Sequence, residues 1–199
     1  MSRKLYLGLR PKEGTVHYPV IYTVRCPLVA FPDWHLFTHI IFTSQTAVEY
    51  WPGPWDKQIL AIGNETAQKL REKGLEPVVA PEATQEGIMK IVGEGYYFIP
   101  RSKRARGDLD EYMRARGIRF QAFDLYETHF QKPLPVPDLN EFDEVIFTSP
   151  STVEGFLRIF GKFPEGKKLT AIGPITSREI SFKKSNFPNI MAEKLPGFL

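Results

Sequence analysis

Two short blocks of donor-bearing residues each occur twice in this chain. Ser44-Gln45-Thr46 follows the apolar run Ile40–Thr43, and Ser149-Pro150-Ser151 follows Val145–Thr148. Further along, Gly63-Asn64-Glu65-Thr66 and Gly173-Pro174-Ile175-Thr176 each follow a second apolar run. Their common position is the carboxyl end of a predicted strand, where open α/β sheets bind ligands. A serine there caps the next helix and leaves other backbone N–H groups free to meet an anion. A glycine there lets the turn approach a ligand closely. The same residues also read as plain helix caps with no ligand.

A second candidate is the basic run Arg101-Ser102-Lys103-Arg104-Ala105-Arg106, which follows the apolar segment Tyr96–Ile99. With Arg114, Arg116 and Arg119 it sets seven cations against three acids (Asp108, Asp110 and Glu111), a local excess of +4 beside +3 for the whole chain. Arg101 and Arg106 fit carboxylate binding, and the run fits a solvated charged face equally well. Nucleic acid fits less, because no aromatic stacking partners are interleaved with the run. One cysteine, Cys26, excludes an intrachain disulfide and a Cys-cluster zinc site. Of the four histidines only His35 and His39 sit at i, i+4, without an HExxH frame, so no metal is expected. Cys26 beside Pro27 reads as a small buried hydrophobe, and Trp34, Trp51 and Trp55 as core or hinge packing.

These residues need elements to position them, and the repeat supplies the pattern. Ile41-Phe42-Thr43-Ser44 matches Ile146-Phe147-Thr148-Ser149 at an offset of 105, and the two glycine blocks match at 110. Such a period is too long for a solenoid and reads as two similar domains. Each copy alternates strand, helix (Ala47–Trp51; Thr152–Phe160), strand (Gln58–Ile62; Lys168–Ile172), helix (Glu65–Lys73; Thr176–Lys183) and a third short strand (Glu76–Val79; Asn189–Met191). The first copy continues with a helix over Gln85–Val92, the strand Tyr96–Ile99, a helix over Leu109–Arg116 and a long strand Ile118–Tyr126. Continuous apolar strands separated by helices predict a doubly wound parallel sheet. With 199 residues, 42% hydrophobic and 25% charged, the chain can bury such cores. No apolar run approaches the roughly 20 residues of a membrane span, and the first residues lack an apolar signal region. A cytoplasmic protein is expected, and its mildly basic charge suits an acidic small molecule.

Proline-rich punctuation sets the domain bounds at 33–120 for the contiguous domain and 1–25 plus 130–199 for one assembled from both chain ends. Residues 26–32 and 121–129 then form the connecting strands, with His17 and His129 close to the hinge.

The whole succession resembles the uroporphyrinogen-III synthase family of tetrapyrrole biosynthesis. Its order is a strand followed by Arg10-Pro11, then IFTSxxAV, IGxxTA, a strand reaching Tyr126, IFTSxxxV and IGPxT. The resemblance covers most of the chain. It implies two flavodoxin-like doubly wound parallel-sheet domains joined by a two-stranded antiparallel linker, with substrate in the cleft between them. It implies a lyase that cyclises linear hydroxymethylbilane, a polycarboxylate, to uroporphyrinogen III with ring D inverted and water lost. It implies no metal or organic cofactor. A monomer without nucleic-acid or membrane partner is expected alongside it, with handover of substrate from hydroxymethylbilane synthase. Tyr126 matches the family's cleft-facing tyrosine and is the candidate catalytic group, able to protonate the departing hydroxyl. The alternative is an amphipathic strand-end residue. Arg10 matches an arginine of the family, and Arg106-Gly107-Asp108-Leu109 fits its Arg-x-x-Leu. The candidate substrate contacts are Arg10, Ser44, Gln45, Thr46, Gly63, Asn64, Thr66, Arg101, Arg106, Ser149, Ser151, Gly173 and Thr176.

Two departures from the family pattern are expected. The strand Leu5–Leu9 is followed too soon by the apolar run at Tyr18–Pro19 to leave room for the first helix. The last helix of the second copy is barely begun at Leu199. Both fall in the domain built from the termini, which predicts an under-covered sheet. A non-catalytic two-domain ligand-binding or sensor protein, or a degenerate family member, is the rival to the enzyme.

Overall fold

The computed structural model describes residues 2–27 and 33–190. The chain divides into two units, Met1–Tyr22 with His129–Leu199, and Thr23–Thr128. Among the described residues, the strands are β1 Lys4–Tyr6, β2 Val16–His17, β3 Ile21–Arg25, β4 His39–Phe42, β5 Gln58–Ala61, β6 Val78–Val79, β7 Tyr96–Ser102, β8 Arg119–Phe130, β9 Glu144–Phe147 and β10 Lys168–Ala171. The helices are α1 Gln45–Tyr50, α2 Asn64–Arg71, α3 Gln85–Met89, α4 Asp108–Ala115, α5 Pro150–Phe160 and α6 Pro174–Ile190.

Six strands form one sheet in the order β3-β8-β7-β4-β5-β6, and β8, β7, β4, β5 and β6 pair in parallel. Apolar residues run along β4 without alternation, because both faces are covered. Ile40 and Phe42 pack with Val48, Trp51 and Leu70 on the face of α1 and α2. Ile41 packs with Tyr97, Ile99, Ile88, Leu109 and Met113 on the face of α3 and α4. Each fully buried side chain of this kind contributes about 1.5–3 kcal/mol. Trp51 is in the core as expected, with Trp34 and Trp55 packed against it.

The second sheet has the order β10-β9-β1-β2, and its strands pair in parallel. Leu5, Val145 and Phe147 pack with Val153 and Phe156 of α5 and Ile180 of α6. Only nine residues, 7–15, join β1 to β2, and none is helical. That is shorter than the usual parallel crossover. The loop is tied by the His17 Nε2 contact with the Gly8 carbonyl at 2.7 Å and by Thr15 Oγ1 donating to the Lys12 carbonyl at 2.6 Å.

Three expectations need correction. The third strand of the second copy, Asn189–Met191, is not formed: Asn189 and Ile190 lie in α6, and Met191 lies outside the described residues. In the first copy Gly74, with φ of 79°, ends the helix region. The repeat places Lys184 at that point, so the helix meets no comparable stop. Tyr126 does not end its strand either, because β8 continues to Phe130. The first strand is shorter than Leu5–Leu9, stopping at Tyr6. Of the segment 26–32, residues 28–32 lie outside the description; residues 121–124 and Tyr126 pair with β7, with a register shift at Leu125. The last helix falls within 191–199, also outside it.

Candidate active site

In the unit Thr23–Thr128, Ser44 stands where β4 gives way to α1. Its Oγ accepts the Ala47 N–H at 3.0 Å, so the serine caps α1 as its type predicts. The same oxygen lies 3.0 Å from the Tyr126 hydroxyl, a contact that spans 82 residues of sequence. The Thr46 side chain lies close enough to act on the ionisation of this phenol. Tyr126 is 7% exposed. Burial raises its pKa above the ordinary phenol value, partly offset by the Ser44 hydrogen bond and by Thr46. The rings of Tyr50 and Tyr126 pack nearly perpendicular, with centroids 5.8 Å apart. Tyr50 in turn donates to the Thr23 carbonyl at 3.1 Å, and its oxygen lies 2.8 Å from Thr23 Oγ1. Arg25 donates to the Tyr50 carbonyl at 2.6 Å. Sequence reasoning missed Tyr50, Thr23 and Arg25, and no local pattern marks them.

Gly63 is the N-cap residue just before α2 and has no side chain to cap it, so the first N–H groups of α2 lack a side-chain cap. Asn64 is exposed there, whereas Thr66 turns inward and is 3% exposed. Gly63 is needed for packing: a Cβ added to it would lie 2.8 Å from Ala83 Cβ. Gln45 is exposed on the first turn of α1.

The basic run is already compensated in its own unit. Arg101 donates to Asp110 Oδ1 at 2.6 Å, and Arg106 lies 2.8 Å from Asp108 and 3.7 Å from Glu86. Arg114 and Arg119 lie over the rings of Phe120 and Tyr96. With Arg101 and Asp110 they border a groove of about 670 Å³ along α4 and β8.

In the other unit Ser149 caps α5. It forms a reciprocal capping box with Thr152, and Ser151 is half-buried in the first turn. Gly173 precedes α6, and a Cβ there would meet nothing within 4 Å. Thr176 is 3% exposed, matching Thr66 of the first copy. Arg10 is exposed beyond β1. Ser44, Thr46 and Tyr126 are therefore brought together, as are Arg101 and Asp110. Among the described residues no group of three or more His, Cys, Asp or Glu could hold a metal ion. No helix among them is long and apolar enough to cross a membrane.

The family model for uroporphyrinogen-III synthase HemD matches residues 13–196. The chain belongs to the uroporphyrinogen-III synthase family. A relative from Methanothermobacter thermautotrophicus, provisionally named uroporphyrinogen-III synthase, is 31% identical over 74% of this chain and 69% of its own length. The porphyrin biosynthesis protein HemD of Ruminiclostridium josui is 28% identical over 94% of this chain. The chain spans only 42% of that relative. Among solved structures, the uroporphyrinogen-III synthetase of Helicobacter pylori is similar with a TM-score of 0.67 at 21% identity, covering 92% of this chain and 90% of that one. A mutant uroporphyrinogen III synthase from the extremely thermophilic bacterium Thermus thermophilus is similar at 0.59 and 19%, covering 92% and 89%. These two likenesses establish the mixed α/β fold with parallel sheets that the uroporphyrinogen-III synthase structures share.

Proposed function

We propose that this chain is a lyase that closes linear hydroxymethylbilane to uroporphyrinogen III, inverting ring D and releasing water. The observation that carries the reading is the family match across residues 13–196. On this reading the two units are flavodoxin-like domains joined by β3 and β8 as an antiparallel pair. The hydrogen bonds Cys26 N to Leu125 O and Gln131 N to Val20 O support that direction, since one strand's numbers rise as the other's fall.

Tyr126 is the catalytic group of this reading. Burial keeps its phenol protonated, so it donates a hydrogen bond at any physiological pH. Donation to the substrate hydroxyl helps that group leave as water, while the pyrrole nitrogen supplies the electron pair and an electrophilic azafulvene remains. The substituted carbon of ring D then attacks, and a spiro intermediate fragments and recloses. Holding the bilane folded supplies much of the acceleration, and fixed donors supply the rest.

The substrate's carboxylates need many donors. Gln45, Asn64 and the uncapped N–H groups of α2 supply them in one unit, and Ser149, Ser151, Gly173 and Arg10 in the other. Thr66 and Thr176 offer only an edge of each side chain. Arg101 and Arg106, each paired with an acid, act as compensated charges rather than chief carboxylate ligands. Handover from hydroxymethylbilane synthase and action as a cytoplasmic monomer belong to the same proposal. The test is isomer analysis: added protein must turn bilane into the type III product rather than the type I product of spontaneous closure.

A further inference from the structure

Resting on that reading, we infer that Ser44 is a positioning residue for Tyr126, holding the phenol and leaving its proton free for the substrate. The Ala47 N–H takes one lone pair of Ser44 Oγ at 3.0 Å. The hydroxyl keeps one proton and one lone pair, so either group can donate across the 3.0 Å contact with the Tyr126 oxygen, and the inference assigns the proton to Ser44 and the acceptor to Tyr126. Once that oxygen accepts from Ser44, the phenol's own proton is available to another acceptor. The Tyr50 ring packs nearly perpendicular to the Tyr126 ring, with centroids 5.8 Å apart. The phenol is thereby held by the Ser44 hydroxyl and packed against the Tyr50 ring, on a strand that continues beyond it.

The duplication supplies an internal control. Ser149 occupies the matching position in the second copy and caps α5 in the same way. There the capping serine exchanges hydrogen bonds with Thr152 of its own helix rather than with a phenol. Capping alone therefore accounts for the second serine but not for the geometry around the first. The Ser44–Tyr126 contact is an addition to helix capping, placed at the residue the proposed function makes the proton donor.

The two roles of Ser44 separate experimentally. Glycine serves nearly as well as serine at a helix cap, costing only a few tenths of a kcal/mol, whereas alanine costs about 1 kcal/mol. Ser44→Gly thus keeps the cap and removes the hydroxyl, and Ser44→Thr keeps both. Thr84→Ala removes the corresponding cap of α3, which has no part in this chemistry. Each variant is assayed for kcat and KM with hydroxymethylbilane. The ionisation of Tyr126 is taken as the difference in phenolate absorbance between titrations with and without Tyr126→Phe in the same background.

The expected result is a kcat about 3- to 10-fold lower in Ser44→Gly, the worth of one neutral hydrogen bond. KM stays within about twofold, and the Tyr126 titration moves to higher pH. Ser44→Thr recovers both values, and Thr84→Ala changes neither. A Ser44→Gly variant with unchanged kcat and an unmoved titration overturns the inference. So does a rise in KM alone, which would make Ser44 a direct substrate contact. The titration needs no substrate, so it decides the coupling even if wild-type protein yields only type I product. In that case the functional reading fails on its own account.

Discussion

Arg101 of β7 and Asp110 of α4 form a 2.6 Å ion pair whose side chains are only 18% and 8% exposed. The pair ties the first turn of α4 to the far half of β7. Arg114 reaches the other carboxylate oxygen at 3.7 Å, and Asp124 approaches Arg101 Nε at 3.9 Å. A charge so enclosed is costly to leave alone.

Removing either partner therefore destabilises the unit. Asp110→Ala is expected to lose about 3–5 kcal/mol in urea unfolding, and Arg101→Ala a similar amount. The double variant should lose clearly less than the two together. Additive losses would show that the pair is not coupled. Arg106→Ala, at an exposed pair, should change stability by less than about 1 kcal/mol.

Tyr126→Phe preserves the packing and removes the phenol. Its kcat should fall about 100-fold or more, with a thermal midpoint close to that of the wild type. Unchanged turnover would remove Tyr126 from the chemistry.

The pH dependence of Tyr126 has a definite sign. Burial raises the phenol's pKa in the folded state above the ordinary value of 10.0. The stability tied to the neutral phenol is present below about pH 10 and is lost as pH rises towards the folded value. The rate profile should therefore show no descending limb from Tyr126 between about pH 6 and 9, well below where a phenol ionises. A limb there that vanishes in Tyr126→Phe would contradict this.

Glu144 gives the opposite sign. Thr170 Oγ1 donates to it at 2.5 Å, and Lys168 and Lys4 lie 3.2 and 3.8 Å away. The Thr170 hydrogen bond, then Lys168 and Lys4, hold its pKa below the ordinary 4.5, against the opposing effect of burial. Its contribution to stability is present above about pH 4.5 and is lost as pH falls through the folded value. Glu144→Gln should flatten that part of the acid unfolding curve. An unchanged curve would place the acid sensitivity elsewhere.

The two repeated glycines should behave differently. Gly63→Ala sets a Cβ 2.8 Å from Ala83 Cβ, whereas Gly173→Ala meets nothing within 4 Å. Thermal unfolding should show a loss of about 1–3 kcal/mol for the first and less than about 1 kcal/mol for the second. Equal effects would mean that the Ala83 loop yields without cost.

The sequence carried the strands and the helix starts because those signals are local. Ile40–Phe42 is apolar throughout, and a strand covered on both faces must be. Ser44 and Ser149 mark the starts of α1 and α5 through their own hydroxyls. The reach of α6 was not legible, since it depends on a missing stop at Lys184 rather than on a residue that is present. The site was legible only as single residues. Ser44 and Tyr126 meet across two strands of the folded sheet, and nothing near either residue encodes the partner. Arg101 could be read as a ligand for carboxylates because its compensation by Asp110 appears only when α4 docks on β7. Gly63 could be read as room for a ligand because Ala83 fills that space only in the fold.

The most direct measurement is a coupled assay. Hydroxymethylbilane is generated in situ with its synthase, this protein is added, and the oxidised products are separated into type I and type III uroporphyrins. The account predicts a shift to type III that grows with protein concentration and is strongly reduced in Tyr126→Phe. Unchanged type I product in the presence of folded protein would contradict the proposed activity.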